Sequence, residues 1–281
     1  MQCVSISQLS TSRWSFHQDI LKYSALGCHS VGIWRNKVDE IGPQEAADFL
    51  FEMRMGVSSV HWCGGFTGST GISYVDALND AIESVKLAGI VGAETLIVHP
   101  GARNGHTHRH SNRLLESALN AIIPVAADYG VRIALEPMQF SKHCPWTFLN
   151  GFQQTYSVLS NYDPADIGFV LDLFHMGSNF QMLPQLPDLL NRLALVQVSD
   201  RKRAGDYSGK RCPLGAGALP LRDWLLKLAE TGYSGHYEIE TWGVASTPDD
   251  YAKIISDDFE FLNRELETAT EKADSKQSTR G

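Results

Sequence analysis

The amino-acid sequence predicts a single (β/α)8 barrel. Eight short β-branched runs, mostly apolar on both faces, recur along the chain, as strands buried on both sides do in parallel sheets. Helical apolar patterns fill the gaps between them. The alternation occupies residues 1–267, and such barrels take about 250 residues. The remaining stretch, 268–281 (TATEKADSKQSTRG), is polar and reads as a disordered tail. No boundary between domains is visible before it.

The strand candidates are Cys3–Ser7, Ser30–Trp34, Val57–Trp62, Thr95–His99, Val131–Glu136, Gly168–Asp172, Ala194–Ser199 and Tyr237–Thr241. The clearest helix is Ser73–Ala88, where Val75, Leu78, Ile82 and Val85 share one face. Ser73 with Asp76 resembles a capping box, and Gly89 and Gly92 offer exits. Asn112–Tyr129 carries Leu115, Leu119, Ile122 and Ala126 on one face, with Pro124 predicting a kink. Phe16–Leu26, Gln44–Met55, Phe152–Leu159, Leu186–Leu193, Leu219–Glu230 and Asp249–Leu266 complete the set. A doubly wound sheet binding a dinucleotide would show a Gly-rich turn after its first strand. That strand runs instead into Gln8-Leu9-Ser10-Thr11.

Composition narrows the function. The net charge is −8, from 32 acidic residues against 24 Lys and Arg. Nucleic acids and anionic membranes are bound by cationic surface, so both are poor partners. No apolar run approaches the length of a transmembrane helix, and MQCVSISQLS lacks the basic head and apolar run of a secretory signal. The cysteines Cys3, Cys28, Cys63, Cys144 and Cys212 are scattered, odd in number and without a Cys-x-x-Cys pair. A disulfide framework is therefore not expected, and a cytoplasmic enzyme is.

In a (β/α)8 barrel chemistry collects where the strands end. The residues there are His99, Glu136, Asp172 with His175 after it, Gln197 and Asp200, and Glu238 with Glu240. A carboxylate ending a buried strand must be paired, protonated or bound to a metal. Taken singly, each is more commonly a helix cap or ion-pair partner. Several facing one axis repel, and a divalent cation holds them together. Oxygen donors suit Mg²⁺ or Mn²⁺, with Co²⁺ or Zn²⁺ as alternatives. Glu238 and Glu240 share a strand face, so one serves as ligand and the other as structure. Trp34 and Trp62 stand near strand ends as pocket or core residues, and His99 is a substrate contact or a core histidine. His106, His108 and His110 lie among Gly, Asn and Arg and read as a solvated loop. Gly64–Gly68 lacks the Lys of a phosphate-binding loop.

Several segments together resemble the xylose-isomerase-like superfamily of sugar isomerases and epimerases. They are Leu135-Glu136-Pro137, Leu171–Met176, Val196–Asp200, Pro213–Gly217 and Gly232–Gly235 leading to Glu240. The resemblance implies one divalent ion held by Glu136, Asp172, Gln197 and Glu240. Gln197 replaces the common His, as in the hydroxypyruvate-isomerase-like branch. It also implies a substrate-contacting His175 and an arginine after the third ligand, at Arg201 or Arg203. The extra Glu that some 3-epimerases carry after the first ligand is absent from Met138–Lys142.

The expected activity is isomerisation or epimerisation of a small sugar, keto-sugar or keto-acid through an enediolate. Glu136 and Glu240 move the proton, and His175 steadies the intermediate. A dehydratase or lyase acting on a cyclic polyol or glycoside is the alternative, followed by a non-catalytic carbohydrate-binding barrel. A metal-dependent endonuclease fits worse, given the net charge and Gln197. Oligomeric state is left open, with a homo-oligomer among the expectations.

Overall fold

A computed structural model describes residues 3–139, 146–203, 205 and 210–278. The strands are β1 (Cys3–Ser7), β2 (Ser30–Trp34), β3 (Gly56–Gly64), β4 (Ala93–His99), β5 (Arg132–Leu135), β6 (Ile167–Asp172), β7 (Leu193–Val198) and β8 (His236–Ile239). They pair in sequence order, all parallel, and β8 closes on β1 through Cys3↔His236 to Ile6↔Ile239. Each of the eight β-branched runs is a strand. Glu136 and Glu240 fall just beyond the last ladder residues of β5 and β8.

The helices are α1 (Phe16–Ala25), α2 (Arg35–Asp39), α3 (Pro43–Glu52), α4 (Tyr74–Ile90), α5 (His108–Asp128), α6 (Phe152–Leu159), α7 (Leu173–Met176), α8 (Leu186–Leu189), α9 (Leu221–Thr231) and α10 (Pro248–Ser278). Their apolar faces pack on the outside of the sheet and form the main core. Ser73 caps α4 by accepting from the Asp76 N–H at 3.1 Å. The Asp76 carboxylate accepts from the Ser73 hydroxyl rather than from its backbone, so the reciprocal box is incomplete. The α5 helix runs through Pro124 without interruption.

Three readings need correction. The Leu186–Leu193 segment is not one helix: α8 stops at Leu189, a 3-10 turn covers Leu190–Arg192, and Leu193 opens β7. A Pro at the start of so short a pattern and a strand-forming run at its end leave room for one turn. The histidine cluster is not wholly loop, because α5 begins at His108 and Thr107 caps it by accepting from the His110 N–H. Residues 268–278 are not a disordered tail, because they continue α10. Leu262, Leu266, Ala269 and Ala273 are buried at steps of one helix face, and Lys276 reaches Glu230 at 2.6 Å. Two alanines suffice against the wall of α9, and a composition reading weighs them too lightly. Residues 279–281 lie outside the described set.

The barrel interior determines where the site stands. Ile97, Ala134, Val170 and Leu195, on four adjacent strands, form a separate fully buried apolar layer inside the barrel. Two residues further along each strand are His99, Glu136, Asp172 and Gln197. Side chains repeat their direction every second residue, so this dry layer is the floor of a polar one. A buried charge pair ties α2 to α1: Lys37 Nζ lies 2.5 Å from Asp19 Oδ2 and donates to the Thr11 carbonyl at 3.0 Å.

Candidate active site

The polar layer is built by strand register. Asp172 pairs with Gln197 across β6 and β7, and Gln197 pairs with Glu238 across β7 and β8. Glu240 lies one period beyond Glu238. Ligand atoms of Glu136, Asp172 and His175 all lie within 4.8 Å of one another. Gln197 Nε2 donates to Glu240 Oε2 at 2.9 Å. The structure therefore brings Glu136, Asp172, His175, Gln197 and Glu240 to one place.

Each side chain is held by specific partners. Glu136 Oε2 is 2.6 Å from His99 Nε2. Asp172 Oδ1 caps α7 by accepting from the Phe174 N–H at 2.7 Å. Its other oxygen, Oδ2, is buried without a hydrogen-bond donor, with His175 Nε2 at 3.6 Å. Gln197 Oε1 is likewise buried without a donor.

Sequence reasoning missed Arg211. Its Nη2 donates to Glu240 Oε1 at 2.7 Å and stands 3.7 Å from Asp172 Oδ2, with the guanidinium 4.5 Å over the Phe174 ring. It reaches the site from the β7–α9 loop, which Asp200 organises. Asp200 accepts from the backbone N–H of Arg201, Gly215, Gly217 and Leu219 at 2.8–3.2 Å. A Cβ on Gly217 would meet Asp200 Oδ1 at 2.1 Å, so the close approach needs glycine there. The Pro213–Gly217 motif signalled this loop, but the sequence does not show which arginine it presents.

Sequence reasoning also missed His61, beneath Glu240. His61 Nε2 lies 2.7 Å from Glu238 Oε1, and Ser58 and Ser59 both donate to Glu238 Oε2 at 2.7 Å. Neighbouring residues of a regular strand point to opposite faces. Here the β2–β3 register skips a residue between Val31↔Val57 and Gly32↔Ser59, letting both hydroxyls reach one carboxylate. The signal available in the sequence was the period-two placement of Ser59 and His61 along β3. His61 with Glu238 and Glu240 also has metal-ligand spacing. However, both Glu238 oxygens are filled by donors, which marks it as a hydrogen-bonded residue.

The electrostatics follow from burial. Burial, with the charges of Asp172 and Glu240 added, pushes the Glu136 carboxyl well above the usual range. Burial also raises Asp172 and Glu240, against the pull of Arg211 on each. Burial opposes charge on Glu238 too, but His61 and the serine hydroxyls outweigh it and take the carboxyl down to about 2. His61, against its own burial, is held up at about 9 by Glu238. Burial lowers His99 to about 3 and His175 well below its ordinary value, so both are neutral imidazoles at pH 7. The His61–Glu238 pair balances itself. Three carboxyls then face the Arg211 guanidinium, with the charge of buried Arg201 also acting on Asp172, so negative charge is in excess when all three ionise. A divalent cation would offset that excess, and the two donorless oxygens, Asp172 Oδ2 and Gln197 Oε1, fit it as ligands.

The other expected contacts divide. Trp62 lies tilted on His99 with ring centroids 5.2 Å apart and edge-on to Trp146, also at 5.2 Å. These three line a cleft of about 210 Å³ with Gly65, Thr70 and Arg35. Arg201 is fully buried, donates to Ser178 Oγ at 2.7 Å and lies 5.4 Å from the Phe174 ring. Arg203 is exposed on the β7–α9 loop and makes no contact with the cluster among the described residues. Trp34 ends β2 half-buried, its N–H donating to Gln8 Oε1 at 3.0 Å. A surface depression of about 930 Å³ at the start of α5 shares no lining residue with that cleft.

A closed parallel barrel carrying buried carboxyls, an amide and neutral histidines at its strand ends has the form of a barrel enzyme. The chain belongs to the xylose isomerase-like TIM barrel family, whose model matches residues 20–265. An inosose isomerase of Halalkalibacterium halodurans is 32% identical over 130 residues, covering 44% of this chain and 44% of that protein. An uncharacterized protein of Methanocaldococcus jannaschii, MJ1311, is 24% identical over 202 residues, 68% of this chain and 64% of that one. The matches thus span less than two thirds of these relatives' own length. An L-ribulose 3-epimerase structure superposes with a TM-score of 0.80 at 17% identity, covering 98% of this chain and 97% of that one. An IOLI protein structure with a bound zinc atom gives 0.74 at 18% identity, covering 98% and 99%. At such identities the superpositions establish the fold alone. No helix among the described residues is long and apolar enough to cross a membrane.

Proposed function

We propose that this chain is a divalent-metal-dependent isomerase or epimerase of a sugar or keto-sugar, working by proton transfer through an enediolate. The observation that carries the reading is the pair of donorless buried oxygens, Asp172 Oδ2 and Gln197 Oε1, beside Glu136 and Glu240. These four residues would hold the ion. The donor set is all oxygen, which favours Mg²⁺ or Mn²⁺ over Co²⁺ or Zn²⁺. When bound, the ion supplies Lewis-acid polarisation of the substrate carbonyl. The family, the inosose isomerase relative and the zinc in a structural neighbour support the reading.

The chain's own residues do the rest. Glu136 and Glu240 approach from β5 and β8, three strands apart around the barrel. One takes the proton from the carbon beside the carbonyl and the other returns one, to the neighbouring carbon or to the opposite face. A positioned base of this kind contributes about 10²–10⁴-fold. His99, neutral and 2.6 Å from Glu136, steadies that carboxyl in either protonation state. Arg211 holds Glu240 Oε1, leaving its guanidinium at the mouth for a substrate oxygen. His175, neutral beside Asp172, hydrogen-bonds the intermediate. Trp62 walls the cleft beside His99. A cytoplasmic setting is supported by the free thiols of Cys3, Cys28, Cys63 and Cys212.

Solvent-deuterium exchange tests the reading. With Mn²⁺ and a panel of ketoses, keto-acids and inososes in D₂O, the protein should place deuterium on the carbon next to a carbonyl. Glu136→Gln should lower that rate at least about 10²-fold with the fold intact. Near-normal exchange in Glu136→Gln contradicts the assignment, and a product that has lost water converts it to a dehydratase.

A further inference from the structure

Gln197 poses a problem that its neighbours solve. A side-chain amide ligates a cation only through oxygen, and its two ends are nearly equal in size. Packing alone does not choose between them, so hydrogen bonding must. Gln197 Nε2 donates to Glu240 Oε2 at 2.9 Å and to Glu238 Oε1 at 3.3 Å. Reversing the amide would set its oxygen against two carboxyl groups and turn its N–H groups toward the ion.

Glu238 is itself immobile. It is fully buried, with Ser58 and Ser59 donating to one oxygen and His61 against the other. Space for it exists because position 32 is glycine: a Cβ there would meet Glu238 Oε2 at 2.3 Å. Burying a charge pair is costly, and such pairs do not by themselves add stability. A strand bulge, a glycine and two serines are nevertheless arranged around this one.

We propose that His61 and Glu238 are positioning residues that fix the Gln197 amide with its oxygen turned toward the cation site. This rests on the reading of Gln197 as a ligand. Glu238 supplies the acceptor that captures the amide nitrogen, and His61 with the serines holds that acceptor in place. Groups that orient a metal ligand are typically worth about 10–100-fold in metal affinity.

Mn²⁺ titration of the full chain, read by loss of the free-ion electron paramagnetic resonance signal, tests this without turnover. The proteins are wild type, Gln197→Ala, Glu238→Leu, Gln197→Ala with Glu238→Leu, and His61→Leu with Glu238→Leu. The last removes both charges together, so it leaves the local net charge unchanged and keeps the inference testable should Glu238→Leu alone fail to fold. The expected result is about 10–100-fold weaker binding in Glu238→Leu and in the paired variant, still at one ion per chain. In the Gln197→Ala background the same substitution should change the affinity less than about twofold. Unchanged affinity in the paired variant, with Gln197→Ala weakened, overturns the inference and leaves Gln197 a ligand. No effect of Gln197→Ala overturns the ligand reading itself. Equal weakening in both backgrounds, or loss of one of two bound ions, also overturns the inference by making Glu238 act directly on the cation.

Discussion

Replacing Gly32 by Ala tests how tightly the site is built. Gly32 is buried in β2, and its φ is outside the left-handed region, so Ala meets no backbone strain there. The obstacle is steric: the new Cβ would lie 2.3 Å from Glu238 Oε2 and 2.6 Å from its Cδ. The carboxylate must move, and its bonds to Ser58, Ser59 and His61 break together. Breaking a buried charge pair costs about 3–5 kcal/mol. Ala returns about 0.4–1 kcal/mol by restricting the unfolded chain. The expected net loss is therefore about 2–4.6 kcal/mol, read as a lower urea midpoint at unchanged slope. In a Glu238→Ala background the space is vacant, and Gly32→Ala should add almost nothing. A loss below about 1 kcal/mol in the parent protein would refute the reasoning, since it would mean the carboxylate shifts without losing its partners.

Two further outcomes follow from the same geometry. Because His61 is held up at about 9, its contribution to stability is full below its ordinary value of 6.5 and is lost as pH rises through 9. Glu238, held down at about 2, contributes above its ordinary value of 4.5 and loses that as pH falls through 2. The difference in unfolding free energy between wild type and the His61→Leu, Glu238→Leu variant should thus fall between pH 6.5 and about 9, and a flat difference would contradict the pairing. Asp200→Ala deprives four backbone N–H groups of their acceptor. It should cost about 2 kcal/mol or more and speed amide exchange at residues 215–219, while unchanged exchange would show that the loop holds itself.

The fold was legible because its signals are local. Each strand is a β-branched run that needs no distant partner to be recognised, and eight of them with helices between admit few architectures. The carboxyls were legible for a related reason: Glu136 and Asp172 interrupt apolar strands at their ends, where a charge needs a purpose. What escaped depends on contacts between distant segments. Arg211 lies fourteen residues beyond Gln197, placed by Asp200 through backbone bonds that no spacing predicts. The neighbouring Arg201 and Arg203 matched the pattern, yet one is buried on Ser178 and the other exposed. His61 and Glu238 lie 177 residues apart and meet only when β8 closes the ring and a bulge turns Ser58 toward them. The last turns of α10 escaped because two buried alanines in a charged stretch give a faint apolar pattern.

The central claim is that buried oxygens at the strand ends form a divalent-cation site. Elemental analysis of protein purified without chelator, beside a Glu136→Gln, Asp172→Asn double variant of verified fold, tests it most directly. The account predicts close to one Mn, Mg, Co or Zn per chain in the wild type and its loss in the variant. No metal in either protein, even after supplementation, would contradict the cation site and the proton-transfer chemistry built on it.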